Sequence, residues 1–282
     1  MGYLGQHLVS VVTGHKGGKS GARGLDLKLT PDGSKFGEIK TCSRIDQLGK
    51  CGKCGQAVAS IEAACSHCGS KQVQRNDDSK WLIGLRNEDE LRDVLDPTSY
   101  YLVLLDFVDL GNPDTIRATI WTVDPKCRGF AFCMVDYFLN IRAKSSSKAP
   151  FNLWPYDFKF AMMKPLMVYQ ALIKANDTIE TVLFPGRNRP LPYGIDLKPH
   201  LRSNTLTIES IHIVAERLGA KDILRFSKKA VAAPMLQEYA ATQKVSDERL
   251  IDEFAKAIYW PLISTNIADL PGKLRAEVKK LV

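Results

Sequence analysis

The 282-residue chain has no apolar run long enough to span a bilayer, since the stretch YYLVLLDFV is cut by Asp106. Its first residues, MGYLGQHLVSVVTGHKGG, have no basic leading region, and their apolar run is broken at Gln6 and His7. A secretory signal is therefore not expected. Gln6 also stands where a myristoylation pattern needs Ser or Thr. Internal repeats are absent, and so is any extreme of charge. A net charge of +8 and a pI near 9.0 are compatible with a polyanionic partner but do not demand one. A hydrophobic share of 45% with 25% charged residues excludes disorder as the first reading. The expectation is a soluble, intracellular protein with no membrane partner, long enough for one large or two smaller domains. In a reducing compartment seven cysteines do not form a disulfide framework; they imply bound metal or free thiols.

What is present is organised unevenly. Leu4, Leu8 and Val11–Val12 fall on one side of a short helix over residues 3–13, followed by the glycine-rich basic loop GHKGGKSGARG. GLDLKLTPDGSKFGEIKT has alternating leucines, a PDG turn and a return strand, the pattern of a β-hairpin. NEDELRDVLD predicts a short acidic helix ending before Pro97. YYLVLLDFVDL and TIRATIWTVD predict strands joined at GNPD, and GFAFCMVDYFLNIRA fits either a strand or a buried helix. Two proline-bearing connectors follow at 144–160 and 184–203. Beyond them come two amphipathic helices, one closed by Gly219 and the other opened by Ser246. The chain is mixed α and β at the front and mostly helical at the back.

Four of the seven cysteines lie in one short window as two CxxC pairs, Cys51/Cys54 and Cys65/Cys68. Each pair lets two thiolates reach one ion from a tight turn, and two such knuckles complete a tetrahedral site. Gly55 and Gly69, one after each pair, suit that turn. Soft thiolates in a closed tetrahedron favour Zn2+, with iron–sulfur as the lesser alternative. His67 offers a substitute ligand, but Cys68 completes the spacing better. A closed site leaves no open coordination position, so the expected role is structural: folding a segment with little apolar content of its own. Cys42, Cys127 and Cys133 are expected as buried apolar-type residues.

The hairpin carries a second constellation. A three-residue turn centred on Asp32 opposes residues whose numbers sum to 64, so Asp26 faces Glu38. Side chains alternate along a strand, which puts Glu38 and Lys40 on one face with Asp26, and Leu25, Leu27 and Ile39 on the other. Opposed carboxylates repel unless a cation lies between them. Carboxylate oxygens are ligands for Mg2+, which activates water and binds phosphate oxygens. Lys40 stands beside them to position or deprotonate the water and to stabilise developing negative charge.

On these residues, GLDLKLTPDGSKFGEIK resembles the core of the PD-(D/E)xK nuclease superfamily, the fold of most type II restriction endonucleases. The resemblance covers the helix–hairpin–strand segment, roughly residues 3–45. It implies that Asp26 matches the motif aspartate, Glu38 the second acid and Lys40 the lysine. Many members add an acidic ligand from the first helix, where this chain offers Gln6 or His7. Pro31-Asp32 spells the motif literally but lies in the turn, too close to Glu38 to be the strand aspartate.

The resemblance implies an α/β (α+β) fold: a restriction-endonuclease-like mixed sheet flanked by helices, with a four-cysteine zinc knuckle insertion at 46–75 and a mostly helical C-terminal region. The expected division is a nuclease core over 1–143 and a C-terminal region over 144–282 for DNA recognition or dimerisation. The implied activity is Mg2+-dependent hydrolysis of double-stranded DNA at a specific sequence by a homodimer in a prokaryotic-type cytoplasm. The competing readings are a non-catalytic, zinc-dependent nucleic-acid-binding protein, a nuclease acting on RNA or branched DNA, and an assembly factor whose knuckle binds protein. Expected DNA contacts come from the basic loop (Lys16, Lys19 and Arg23), from Arg44 and Gln47 after the catalytic strand, and from the second connector (Arg187, Arg189, Lys198 and Arg202). TIESIHIVAERLGAKDILRFSKKA has some helix-turn-helix rhythm, though packing helices are the commoner use of such a pattern, and His212 is expected as a satisfied core histidine.

Overall fold

The computed structural model describes residues 2–17, 26–45, 48–59, 62, 64–74, 80–107, 114–144, 146, 149–176, 178–184 and 189–280. The chain divides into two compact units, each discontinuous. The first comprises residues 1–82, 97–123 and 166–191; the second comprises 83–96, 124–165 and 192–282. This differs from a single cut at 143/144. The segment 124–143 is helical and belongs to the second unit, whereas 166–191 returns to the first as strands that complete its sheet.

The first unit opens with helix α1 (Gly2–Thr13), followed by β1 (Lys16–Gly17), β2 (Leu27–Lys28) and the long strand β3 (Phe36–Ser43). Three short strands, β4 (Gly49–Cys51), β5 (Ala57–Val58) and β6 (Val73–Gln74), form a separate sheet in the order β5-β4-β6 around the cysteines. After β7 (Trp81–Ile83) come β8 (Ser99–Phe107) and β9 (Thr115–Val123). The chain then passes through β10 (Phe151–Leu153) of the second unit and returns as β11 (Leu166–Lys174) and β12 (Ile179–Leu183). The main sheet runs β1-β2-β3-β8-β9-β11-β12. It is mixed: β3 and β8 pair in parallel, while β8–β9 and β9–β11 are antiparallel. Parallel neighbours need a long crossover, and here it contains the cysteine module.

Register sorts the side chains of this sheet. One face gathers Ile39, Tyr101, Val103, Leu105, Ala118, Ile120, Tyr169 and Ala171 with Leu27 and with Val9 and Val12 of α1 into a continuous core. Helix α1 forms as its periodicity predicts, but its buried side is Gly5, Gln6, Val9 and Val12, while Leu4 and Val11 lie in solvent. Gly5 is the reason. A Cβ built there would overlap Thr41 Oγ1 on β3, so the bare backbone lets the helix approach the strand closely and turns it about its axis. The other face carries Glu38, Lys40 and Cys42 of β3 alongside Tyr100, Leu102 and Leu104 of β8, with Arg44 one residue past the end of β3 and its amide donating to Leu105 O at 2.7 Å. It is partly covered by Trp81, whose indole N–H donates to Val103 O at 2.8 Å and whose ring meets Trp121 edge-on at 6.1 Å.

The second unit is mostly helical. It contains α2 (Glu88–Leu95), α3 (Arg128–Asp136), α4 (Phe158–Met162), α5 (Leu197–His200), α6 (Ile208–Leu218), α7 (Lys229–Thr242), α8 (Asp247–Ile258), α9 (Trp260–Ala268) and α10 (Gly272–Val278). The segment GFAFCMVDYFLNIRA is helical, with Phe130–Val135 all buried, and continues into a wider π turn over Tyr137–Arg142. The caps are local and follow their residues. Asn87 accepts from Glu90 N, Thr207 and Ser210 form a capping box, Ser246 accepts from Arg249 N, and Gly219 adopts φ 83° at the end of α6. His212 is half-buried, its Nε2 2.9 Å from Phe226 O. Among the described residues no helix is long and apolar enough to cross a membrane.

Candidate active site and metal centre

The hairpin register is the one its turn length predicts: Leu27 pairs with Gly37 and Lys28 with Phe36. Asp26, one residue before the ladder, therefore lies beside Glu38, and its Oδ2 accepts the Ile39 amide at 2.9 Å. The backbone of Asp26 is held as well, because Gln6 Nε2 of α1 donates to Asp26 O at 2.8 Å. Glu38 and Lys40 project together from β3, with Lys40 Nζ donating to Glu38 Oε1 at 2.6 Å. Burial pushes the Glu38 carboxyl above its ordinary range. The Lys40 ammonium opposes this, and the neighbouring Asp26 carboxyl pushes it further up. The site thus holds two carboxylates in mutual repulsion and one ammonium half-buried between sheet and solvent, a donor set of hard oxygens suited to a divalent cation.

Two lysines flank it. Lys16 on β1 and Lys28 on β2 are directly opposed in the ladder, and both are exposed. Like charges in opposed positions destabilise a strand pair, and an anion bound across them removes that penalty. By strand parity Lys28 shares a face with Asp26, Glu38 and Lys40. The sequence reading passed over Lys28 and gave Gln6 no positioning role. The parity that linked Asp26 to Glu38 also marks Lys28, whereas nothing in the local sequence marks Gln6, whose contact spans twenty residues.

The four window cysteines converge, with their Sγ atoms all within 4.8 Å of one another. Cys51 and Cys68 lie 3.6 Å apart, as do Cys54 and Cys65. A Zn–S bond of about 2.3 Å in a tetrahedron demands S···S separations of about 3.8 Å, whereas a disulfide demands about 2.05 Å. The cluster therefore fits a metal such as zinc. The two knuckles repeat one construction: Gly55 N donates to Cys51 O (2.9 Å) and Gly69 N to Cys65 O (2.8 Å), with φ of 75° and 68° at the glycines. Backbone N–H groups from Cys54, first, and Lys53 face the Cys51 sulfur and pull its thiol down to about 6. Cys42 and Cys133 are buried and Cys127 is partly so, as expected of residues outside the cluster.

The expected DNA contacts are scattered. Lys16, Arg189 and Lys198 are exposed, Lys198 on the short helix α5. Arg202 lies over the rings of Trp154 (4.8 Å) and Tyr156 (5.7 Å). Arg44 corrects the expectation: it is 1% exposed and cannot be lent to a ligand in solvent. Its strand parity turns it onto the covered end of the sheet beside Asp106, which is itself 1% exposed and bound by Arg117 Nη2 at 2.6 Å and Nε at 3.1 Å. Burial raises the Asp106 carboxyl, while Arg117 and then Arg44 hold it down. A buried carboxylate needs such partners, and Arg44 serves as one. Lys19, Arg23, Gln47 and Arg187 lie outside the described residues.

The chain is thus an α+β protein whose mixed sheet gathers Asp26, Glu38 and Lys40 across one hairpin, and whose crossover carries a four-thiol cluster that could hold a metal such as zinc. The model of the MamI restriction endonuclease family matches residues 1–193, a segment spanning α1, the hairpin, the cysteine cluster and the strands of the main sheet through β13 (Leu191–Pro192). The match covers more than half of the 282 residues, and the chain belongs to this restriction endonuclease family. No curated protein and no solved structure shows significant similarity to it.

Proposed function

We propose that the protein is a type II restriction endonuclease of PD-(D/E)xK type that hydrolyses phosphodiester bonds of double-stranded DNA at a specific sequence, with Mg2+ as cofactor. The observation that carries this is the hydrogen bond from the Ile39 amide to Asp26, which fixes that carboxylate beside Glu38 and Lys40 in a chain of a restriction endonuclease family. Asp26 and Glu38 would hold the ion. When bound, Mg2+ lowers the pKa of a water and neutralises charge on a phosphate oxygen. Among the described residues no third carboxylate or histidine joins this pair.

The residues of the chain do the rest. Gln6 and the Ile39 amide hold Asp26 in place. Lys40, which donates to Glu38 at 2.6 Å, would orient the attacking water and stabilise charge on the phosphorus oxygens. Lys16 and Lys28 take backbone phosphates, as do Arg189 and Lys198. The cysteine cluster, loaded with zinc, folds the crossover between β3 and β8 and thereby the strand that carries the site. The second unit serves recognition or dimerisation, because a two-fold symmetric cut calls for a homodimer.

The test is incubation of the purified, zinc-loaded protein with phage DNA and Mg2+. Discrete fragments are expected. They should vanish in Lys40→Ala and Glu38→Gln while zinc content and thermal stability persist. Absence of cleavage on every duplex tried, methylated DNA included, or full activity in both variants would overturn the assignment.

A further inference from the structure

The second unit contains a cleft of about 660 Å3 between α9, α10 and the start of α3, made largely from residues beyond the family match. Its floor is apolar, from Ile263 and Ile267, and its wall is the Trp260 ring. Its rim carries Arg128, Arg275 and Lys279, and among the described residues lining it none is acidic. The Arg128 guanidinium lies 5.4 Å from the centre of the Trp260 ring; the Lys256 ammonium, 5.9 Å from it, is paired with Glu253 at 2.8 Å. Arg275 is anchored through Nε to Leu270 O at 3.0 Å, which holds its guanidinium at the mouth. Glu277, on the same helix, is directed to Arg92 at 3.1 Å and does not neutralise the rim. Like charges gathered around an aromatic wall raise the cost of the empty cleft, and an anion carrying an apolar body lowers it.

We propose that this cleft binds one nucleotide unit of a DNA strand, with the phosphate against Arg128, Arg275 and Lys279 and the sugar and base edge against Trp260. A volume of this size accommodates a unit of that kind, and clustered cations take backbone phosphates whatever the sequence. The cleft thereby gives the second unit a DNA affinity of its own, separate from the carboxylate–lysine face. This rests on DNA being the substrate.

The test is fluorescence anisotropy of a labelled mixed-sequence duplex, titrated in buffer without divalent cation at several salt concentrations. It compares Glu38→Gln protein with the same protein carrying Lys279→Ala, Arg275→Ala or Arg275→Lys. Each lost phosphate contact should lower the log–log salt slope by about 0.9, which at 0.1 M salt weakens binding roughly eightfold. Lys279→Ala and Arg275→Ala should show this, and Arg275→Lys should keep most of the slope. Unchanged melting temperature in Lys279→Ala, whose side chain makes no ion pair among the described residues, separates the effect from misfolding. Unchanged affinity and slope in Lys279→Ala and Arg275→Ala would overturn the proposal. So would loss of free-nucleotide binding with DNA binding intact, which assigns the cleft to a small ligand. If the parent bound no duplex at all, the DNA reading of the whole protein would fall with it.

Discussion

Gly5→Ala tests whether the first helix positions β3, the strand proposed to carry the catalytic residues. Alanine in a helix interior normally stabilises by about 0.8–1.0 kcal/mol over glycine. At this position its Cβ would overlap Thr41 Oγ1, a buried hydroxyl with no hydrogen bond among the described residues. Overpacking of this kind costs about 1–3 kcal/mol, so the net expectation is a loss of about 1 kcal/mol, the difference between those two ranges. In a Thr41→Ala background the oxygen is gone and the nearest remaining atom is the residue-41 Cβ at 3.0 Å. There the same glycine-to-alanine change should be neutral or stabilising by up to about 1 kcal/mol. Urea denaturation of the four proteins should give a coupling energy of about 1–3 kcal/mol. Cleavage should fall in Gly5→Ala, because the next residue, Gln6, holds the Asp26 carbonyl, and should recover in the double variant. A cycle additive to within about 0.5 kcal/mol, or a plain gain of stability in Gly5→Ala alone, would refute close packing of α1 on β3.

Glu38→Gln should stabilise the metal-free protein while abolishing cleavage. Because burial raises the Glu38 carboxyl, folding favours its protonated form. That contribution is full below the ordinary glutamate value of about 4.3 and is lost as pH rises through the raised folded value. The advantage of Gln should therefore be absent at low pH and appear toward neutrality in thermal melts without divalent ions, and Mg2+ should stabilise only the parent. An equal shift at all pH values would contradict the burial argument. Cys54→Ser should reduce bound zinc, measured by chromophoric chelator release, and raise protease sensitivity around 48–74 before the rest of the unit unfolds; intact stoichiometry would show that Cys54 is not a ligand. Asp106→Asn leaves the buried Arg44 and the half-buried Arg117 without their carboxylate. It should cost about 3–5 kcal/mol in denaturant unfolding, and a change under about 1 kcal/mol would mean that the cluster is solvated.

Legibility followed the range of the interactions. The hairpin register was readable because turn length and side-chain parity act within a dozen residues, and so Asp26 could be matched to Glu38 from the string PDG alone. The cysteine cluster was readable because two CxxC turns are self-contained. Caps at Ser246 and Gly219 were readable for the same reason. The strands at 166–174 and 179–183 were not, since LMVYQALIK carries no turn chemistry that announces β pairing and its partner β9 lies more than forty residues upstream. Arg44 looked like a surface cation because nothing in its own segment marks it for burial, and its partner Asp106 is sixty-two positions away.

By itself, then, the sequence determined the local chemistry: the carboxylate–x–lysine face, the four-thiol cluster, the hairpin turn and the helix ends, each set by covalent spacing and backbone preference over a few residues. The tertiary structure alone decided which cations face solvent, that α1 leans on β3 through Gly5, that Gln6 holds Asp26, that Lys16 confronts Lys28, and that the chain is cut into two interleaved units. Those outcomes depend on loop closure and burial between segments far apart in the chain, where many pairings compete and only the packed whole selects among them.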